Sequence, residues 1–565
     1  MNHNSNILWI IVRRMRTPLI VIIVTFAISI TGMVIIPGVD ANGNVYHMSF
    51  FDATYFVTFM ASTIGFGEVP YEFTYAQRFW VLFSIYITVI GWFYAIGTIV
   101  SLIQDKKLLA EIAYAKFQKK VEGLKEPFII ILGYNHITKE LIQKLSLTDK
   151  RIVVIDKDQN KIDELELENF IPEVYSIAAD VEKPEVLKLA GIKKRNCKAM
   201  VTLFNNDFKN TKIALLAKLL NERINLIVKS TTEAQTEHLQ NLGIQNIIDP
   251  FQVIANRFYL AINSPSLWLL EMMLFEHELY FQEKDRLPKG KYIVCGYGRM
   301  GKALECSLKK ANLPCEFIDL KSSTFKDKKN SAIFGDAEDK KLLQRAGIEE
   351  ATAVVSATKD DLINLTILLT AKKLNPDIYT IGRENTLDDL TIFQSAKIDR
   401  VYMLEDIISD YVHKVVALPL SARFLEYLNK QTEEWGEKVI DLIRKRVTYN
   451  PIYFEIRVSR HQTRALYDYL KEGNEVTLKD ISKSLNDNTK PAKIFFLLVK
   501  NRKEQITYIP DENYSIKVSD SFLIASTQSA KDDFELLTNN INELNYILTG
   551  KDIKYGLLKN YKEKR

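Results

Sequence analysis

Two apolar runs open the chain, Leu19 to Ile36 and Phe79 to Ile103, and neither contains a charged residue. Each is long enough for a helix of about 20 residues to cross the hydrocarbon core of a bilayer. Beyond them the pattern changes scale. Short apolar stretches, Phe128 to Leu132, Arg151 to Asp156 and Ala199 to Leu203, alternate with helical periods, and the same order returns at Lys291 to Cys295, Glu316 to Asp319 and Ala353 to Ala357. Continuous apolar strands separated by helices predict parallel sheets buried on both faces. Farther on, Pro451 to Val458, Lys493 to Val499 and Ser519 to Ile524 are strand-like and separated by polar turns, which predicts a small α+β lobe.

The register shows that the second α/β stretch repeats the first. Gly133 and Asp156 recur as Gly296 and Asp319 at a shift of 163 (133 to 296), while Ala190-Gly-Ile and Asp180 recur as Ala346-Gly-Ile and Asp336 at 156 (190 to 346). The expected organisation is a membrane domain over 1–103, a charged linker over 104–126, one α/β domain with crossover helices over 127–287, a second with its helices over 288–430, and a terminal lobe over 431–565. Helical stretches from Pro250 to Phe281 and from Leu404 to Asn429 follow the two sheets. Lys119 to Glu126 contains Gly123 and is followed by Pro127.

Backbone at membrane depth that is neither helix nor barrel is tolerated only inside protein or against water. The segment Pro37 to Arg78 is therefore expected to be re-entrant, with Ser49 to Ala61 as a short helix descending to Thr63. Arg13, Arg14 and Arg16 precede the first run, and Lys106 and Lys107 follow the second. The positive-inside rule then places both termini in the cytoplasm of a multi-pass protein of the cell (inner) membrane. A cleaved signal peptide is the competing reading of the first run, disfavoured by its length and by the lack of a small-residue cleavage site. Lys+Arg number 75 against Asp+Glu 70, a balance that gives no reason to expect nucleic acid. Cys197, Cys295, Cys306 and Cys315 lack metal-ligand spacing and read as reduced thiols.

Between the runs stands Thr63-Ile64-Gly65-Phe66-Gly67. It resembles the Thr-Val-Gly-Tyr-Gly loop whose carbonyls, four loops together, line the selectivity filter of potassium channels. Stacked inward carbonyls demand dihedrals that Gly65 and Gly67 adopt at little cost. Thr63 would add its hydroxyl, and Ile64 and Phe66 would pack behind. Glu68 stands where an Asp is usual, which would loosen the bracing behind the filter. Gly91 and Gly97 in the second run read either as bends or as positions of close helix packing; in two-span potassium channels an inner-helix glycine is the gating hinge, the role this resemblance gives Gly91, while Gly97 would leave room at the pore mouth.

The repeats differ in chemistry. The second has Gly296-Tyr297-Gly298-Arg299-Met300-Gly301 after a strand and Asp319 at the end of the next. This is the dinucleotide-binding fingerprint: glycines let the backbone approach phosphates at a helix start, and the acid accepts from a ribose. In the first repeat, Gly133-Tyr-Asn135-His-Ile-Thr138 replaces two of those glycines, so ordinary dinucleotide binding is not expected there.

A two-span pore followed by paired Rossmann-like units resembles the ligand-gated potassium channels bearing regulator-of-K+-conductance (RCK) domains, over nearly the whole chain. Supporting positions are Phe334-Gly-Asp336-Ala337 after the third strand, Thr358 after the fourth and Arg383 after the fifth. The resemblance implies a homotetramer in a lipid membrane, with K+ as permeant ion and an RCK gating ring that pulls on the inner helices. It implies NAD, NADH or an adenine nucleotide held by Gly296 to Gly301, Asp319, Asp336, Ala337, Thr358 and Arg383; for Arg383 a surface salt bridge is an equal reading. Calcium regulates some relatives, and Asp180, Glu182 and Glu185 are its candidates here, a solvated helix start being the simpler account. The alternatives are a poorly selective cation channel and a membrane-anchored NAD-dependent oxidoreductase, although the few histidines form no catalytic constellation.

Overall fold

The structure, a computed structural model, describes residues 3–148, 150–275, 287–320, 332–385 and 390–550. The end of the helical stretch predicted from Pro250 to Phe281 and the last residues of the predicted terminal lobe lie outside them. The chain divides into two compact units, Met1–Leu124 and Lys125–Arg565.

In the first unit, helix α1 (His3–Ile35) is followed by a hairpin, β1 (Gly38–Val39) and β2 (Val45–Tyr46), then α2 (Phe50–Ala61), α3 (Tyr75–Ile103) and α4 (Lys106–Gly123). Two helices are long and apolar enough to cross a membrane, through Val12–Ile35 and Tyr75–Ile103. Both exceed the predicted spans, because hydropathy reads only the apolar part of a helix that continues into its charged flank. Capping sets the ends. Thr74 and Gln77 form a capping box at the start of α3, and Ser49 accepts from Asp52 N–H at that of α2. The segment expected as a linker is mostly helix α4, started by Asp105, whose carboxylate accepts from Lys107 and Leu108 N–H and pairs with Arg14.

Neither Gly91 nor Gly97 interrupts α3. Gly91 is buried, and a Cβ there would lie 3.1 Å from Thr25 Oγ1 of α1, so it serves close packing; at Gly97 a Cβ would meet nothing within 4 Å. A glycine that the sequence reading passed over matters more. Gly32 makes room for the Trp80 indole, which would stand 2.0 Å from an added Cβ and donates to Ser29 O at 3.1 Å.

The second unit contains two six-stranded parallel sheets. In the first, β3 (Phe128–Leu132), β4 (Arg151–Asp156), β5 (Tyr175–Ala178), β6 (Cys197–Thr202), β7 (Asn225–Lys229) and β8 (Asn246–Ile248) take the order β5-β4-β3-β6-β7-β8. The second repeats this with β9 (Tyr292–Cys295), β10 (Cys315–Asp319), β11 (Ala332–Phe334), β12 (Ala353–Ser356), β13 (Tyr379–Glu384) and β14 (Arg400–Met403), as β11-β10-β9-β12-β13-β14. In both the order reverses beside the first strand, the doubly wound arrangement whose crevice lies at that switch point. Gly191 and Gly347, the glycines of the repeated Ala-Gly-Ile, have φ of +83° and +77° where the chain leaves a helix.

The copies exchange helices. The helix Pro250–Asn263, which ends the first copy, buries Phe251, Ile254 and Phe258 in one core with Met300, Leu304 and Leu308 of the second copy's helix Arg299–Lys310. In return Leu404–Ala417 places Ile408, Val412, Val415 and Val416 in the first copy's core, against Leu141 and Leu145 of α5 (His136–Ser146). The terminal lobe is an antiparallel sheet, β15 (Ile452–Arg457), β16 (Ile494–Lys500), β17 (Ile506–Tyr508) and β18 (Ser521–Ser526), ordered β15-β18-β16-β17. Tyr508 stacks on Tyr427 at 3.6 Å between centroids and joins this lobe to the helices before it.

One ion pair inside the exchanged region is buried on both sides. Arg257 Nε donates to Glu271 Oε1 at 2.9 Å, between Pro250–Asn263 and the next helix. Glu271→Ala should leave a buried guanidinium without its carboxylate and lose about 3–5 kcal/mol. A thermal unfolding midpoint equal to the wild type would show that the pair does not hold the helices.

Candidate functional sites

The loop after α2 is short of ordinary backbone. Thr63 N–H donates to Met60 O at 3.1 Å and Ile64 N–H to Phe59 O at 3.0 Å, and φ is then positive at every second residue: +63° at Thr63, +67° at Gly65 and +104° at Gly67. For a β-branched threonine this conformation costs roughly 1–3 kcal/mol, strain that persists only where the surroundings impose it. Ring and carboxylate contacts supply those surroundings. Phe66 packs edge-on to Phe59 at 5.6 Å between centroids. Glu68, instead of loosening the loop, holds Arg78 through two hydrogen bonds (2.8 and 3.1 Å) and accepts from Phe73 N–H at 2.7 Å.

The second candidate is a cavity of about 540 Å³ at the switch point between β9 and β12. Gly296 follows β9 with φ of +103°, and a Cβ there would strike the Ala357 carbonyl carbon at 2.9 Å. Gly301 is equally constrained: its Cβ would lie 2.2 Å from Gly296 O, so the helix can run this close only with glycine. Gly298 is different, since a Cβ would meet nothing within 4 Å; the space beside it is the cavity. It is the N-cap of Arg299–Lys310 and supplies no side-chain hydrogen bond, which leaves the helix's first N–H groups to an anion.

Asp319 Oδ2 accepts from Tyr297 N–H at 2.7 Å and so shapes the glycine loop. Thr358 is held by Asn364, whose Oδ1 accepts from its N–H (2.9 Å) and hydroxyl (2.8 Å) and whose Nδ2 donates to Arg383 O at 2.9 Å. Arg383 lies within β13 rather than after it, is 6% exposed, and keeps its Nε without a hydrogen-bond partner. That excludes a surface salt bridge. Burial, with help from Arg299, pushes its guanidinium down to about 10, still charged at neutral pH. Arg299 and Arg383 both lie over the ring of Phe251 from the first copy, at 4.7 and 5.2 Å from its centroid.

The TrkA-N domain family matches residues 129–250 and again 292–404, the two α/β copies just described. Each copy is thus similar to the TrkA-N domain. Over 170 residues the chain is 34% identical to Potassium channel protein 1 of Methanocaldococcus jannaschii, covering 26% of this chain and 51% of that one. Probable potassium channel protein 2 of the same organism is 29% identical over 126 residues, 21% of this chain and 37% of its own. The chain thus spans about half the length, or less, of these curated relatives. A solved structure of the GsuK channel bound to NAD aligns over 94% of this chain and 99% of its own, at 14% identity and a TM-score of 0.48.

The first TrkA-N domain has side chains where the second has glycines. Asn135 caps α5: its Oδ1 accepts from Thr138 N–H at 3.0 Å while Thr138 Oγ1 accepts from Asn135 N–H at 2.8 Å, so side chains occupy the helix start. Where the second domain has Thr358, the first has Phe204, whose ring would stand 2.6 Å from a Cβ on Gly133. Lys229, in the place of Arg383, donates to Asn205 Oδ1 at 2.7 Å, and burial pushes its ammonium down to about 8.

Of the residues expected at the nucleotide site, Gly296, Tyr297, Gly298, Arg299, Asp319, Asp336, Ala337, Thr358 and Arg383 line the cavity, whereas Met300 is fully buried in the core and Gly301 is a packing position. Lys302 and Lys359 line it unannounced; Lys359, next to Thr358, was within reach of the motif. Phe251 carried no signal, because it comes from the other domain. Asp180, Glu182 and Glu185 are not gathered into a metal-holding group. Glu182 pairs with Lys212 at 2.8 Å, Asp180 Oδ1 accepts from Glu182 N–H, and among the described residues no group of three His, Cys, Asp or Glu side chains suits a metal ion. Glu185 stands in the first turn of Pro184–Leu189, the solvated helix start.

The caps separate the two domains experimentally. Asn135→Ala should cost about 1 kcal/mol of stability in chaotrope unfolding and leave nucleotide affinity unchanged in calorimetric titration. Weaker nucleotide binding would place the first domain in the site.

Proposed function

We propose that the chain is one subunit of a homotetrameric, potassium-selective membrane channel whose opening is set by a nucleotide in the crevice of the second TrkA-N domain. The observation that carries this is the Thr63 to Gly67 loop, strained, braced, and set between two helices of membrane-spanning length. Its alternating φ lets successive carbonyls face one side, which a cation stripped of water requires. Four copies are needed to encircle an ion; Ile64 and Phe66, 60% and 67% exposed in one chain, are the side chains that neighbouring copies would cover. Two curated relatives named as potassium channel proteins support the same reading. Glu68, bonded to Arg78 and Phe73, favours a firm filter over a poorly selective one.

In the crevice, the N–H groups from Gly298 to Gly301 would hold phosphate, Arg383 would offer its Nε, and Asp319 would accept from a ribose hydroxyl and repel a 2′-phosphate. NAD, NADH and adenine nucleotides fit these demands. Binding gates the pore only if the open and closed arrangements differ in affinity for the ligand. The chain runs from α3 through α4 directly into β3, a covalent route from ligand to pore.

Reversal potentials in mixed sodium and potassium gradients should follow the potassium gradient; a value independent of it sinks the selectivity assignment. Patch recordings with NAD, NADH, AMP, ADP and ATP at the cytoplasmic face should show a response that Gly298→Asp weakens by about a hundredfold or more, since a carboxylate would occupy the phosphate position. A mutant responding like the wild type would place the ligand elsewhere.

A further inference from the structure

A cavity of about 760 Å³ opens where three parts of the second unit meet: the end of α5 with Lys144, the helix Leu404–Ala417 with Asp410 and Lys414, and the terminal lobe with Glu455 and Lys531. Lys414 decides what it can hold. Its side chain lines the cavity yet is 4% exposed, and among the described residues its ammonium makes no hydrogen bond or ion pair. Asp410 and Glu455 act on it only through space. Each nearby carboxylate is engaged elsewhere: Asp410 takes the Lys144 ammonium at 2.6 Å, Glu535 faces Lys531 at 3.8 Å, and Glu455 accepts from Ser421 N–H at 2.7 Å.

A buried ammonium without a partner is expensive, and proteins resolve that with a counter-charge or by shedding the proton. Burial holds Lys414 below the usual lysine range and pushes Glu455 up to about 7, so at neutral pH Glu455, which acts on Lys414 through space, is itself only partly charged. The cavity therefore has a buried cation that, among the described residues, no carboxylate contacts directly. We propose that it is a binding site for a small oxyanion, a carboxylate or phosphate group, held by Lys414 with Lys144 and Lys531 at the rim. An occupant would bridge the first TrkA-N domain, the helix exchanged from the second, and the terminal lobe. It would thus be a second input, independent of the nucleotide crevice.

The test uses the full chain in detergent carrying Gly298→Asp, so that phosphate affinity of the crevice does not contribute. Sodium phosphate and sodium succinate are titrated separately by calorimetry, with sodium chloride at matched ionic strength as the control. Binding of either oxyanion is expected, weakened about tenfold or more by Lys414→Met. Phosphate alone, succinate alone or both would each support the site and name its ligand class. The same substitution should raise the unfolding midpoint without anion, because it removes a buried unpaired charge, and that readout shows the variant folded. No heat from either oxyanion, or equal affinity with and without Lys414, overturns the proposal. Should Lys414→Met fail to fold, Lys531→Ala carries the same test: unchanged affinity there overturns it as well.

Discussion

Each TrkA-N domain has a first helix whose apolar face its own sheet does not finish covering. Leu141 and Leu145 of α5 are completed by Ile408, Val412, Val415 and Val416 from the far end of the second domain, and Leu304 and Leu308 by Phe251, Ile254 and Phe258 from the end of the first. At roughly 1.5–3 kcal/mol for each large apolar side chain buried, either exchange outweighs any single hydrogen bond in the unit. Separating the domains would expose both faces. The exchange is what makes one body of two repeats, and the other features of the unit are set by where it places the chain.

It also allows the repeats to diverge. Both keep the frame of the loop: Asp156 Oδ2 accepts from Tyr134 N–H just as Asp319 Oδ2 does from Tyr297 N–H, each at 2.7 Å. Asn210 and Asn364 tie the fourth strand's loop to the fifth strand in the same way. The copies differ at the helix start, at Phe204 against Thr358 and at Lys229 against Arg383. Asn135 and Thr138 occupy the helix start with their own side chains, whereas Gly298 leaves it bare. A pair held together through its helices does not need two bare helix starts, and one carries side chains instead.

Most of the fold was legible because strands buried on both faces are written as unbroken apolar runs, and repeated glycines and acids fixed the register between copies. Arg383 was read as a residue beyond its strand because a buried cation is rare enough that sequence logic sends it to the surface. α4 was read as a linker because its charges hide a composition of good helix formers, and only Asp105 marks where it begins. Gly32 and Phe251 could not be found, since their partners, Trp80 and the two arginines, are distant in sequence and make no motif with them. The glycine fingerprint, in contrast, carries its geometry locally, and Gly296, Tyr297, Gly298, Arg299 and Asp319 meet at one cavity.

Phe251 shows why a ligand in the second domain cannot remain a local matter. It opens the helix that the first domain contributes, and both Arg299, in the phosphate loop, and Arg383, at the cavity floor, lie over its ring. Lys229 stands near enough that Arg299 lowers its proton affinity, so three cations share one junction between the domains. They repel one another; Arg299 and Arg383 lie over the ring, and Arg299 also acts on the half-buried carboxylate of Asp249. A phosphate at Gly298 would draw Arg299 and Arg383 toward the crevice and relieve that repulsion. Under the proposed function, ligand affinity and the fit of the exchanged helix would be two sides of one coupling free energy, and a shift in one would shift the other by the same amount.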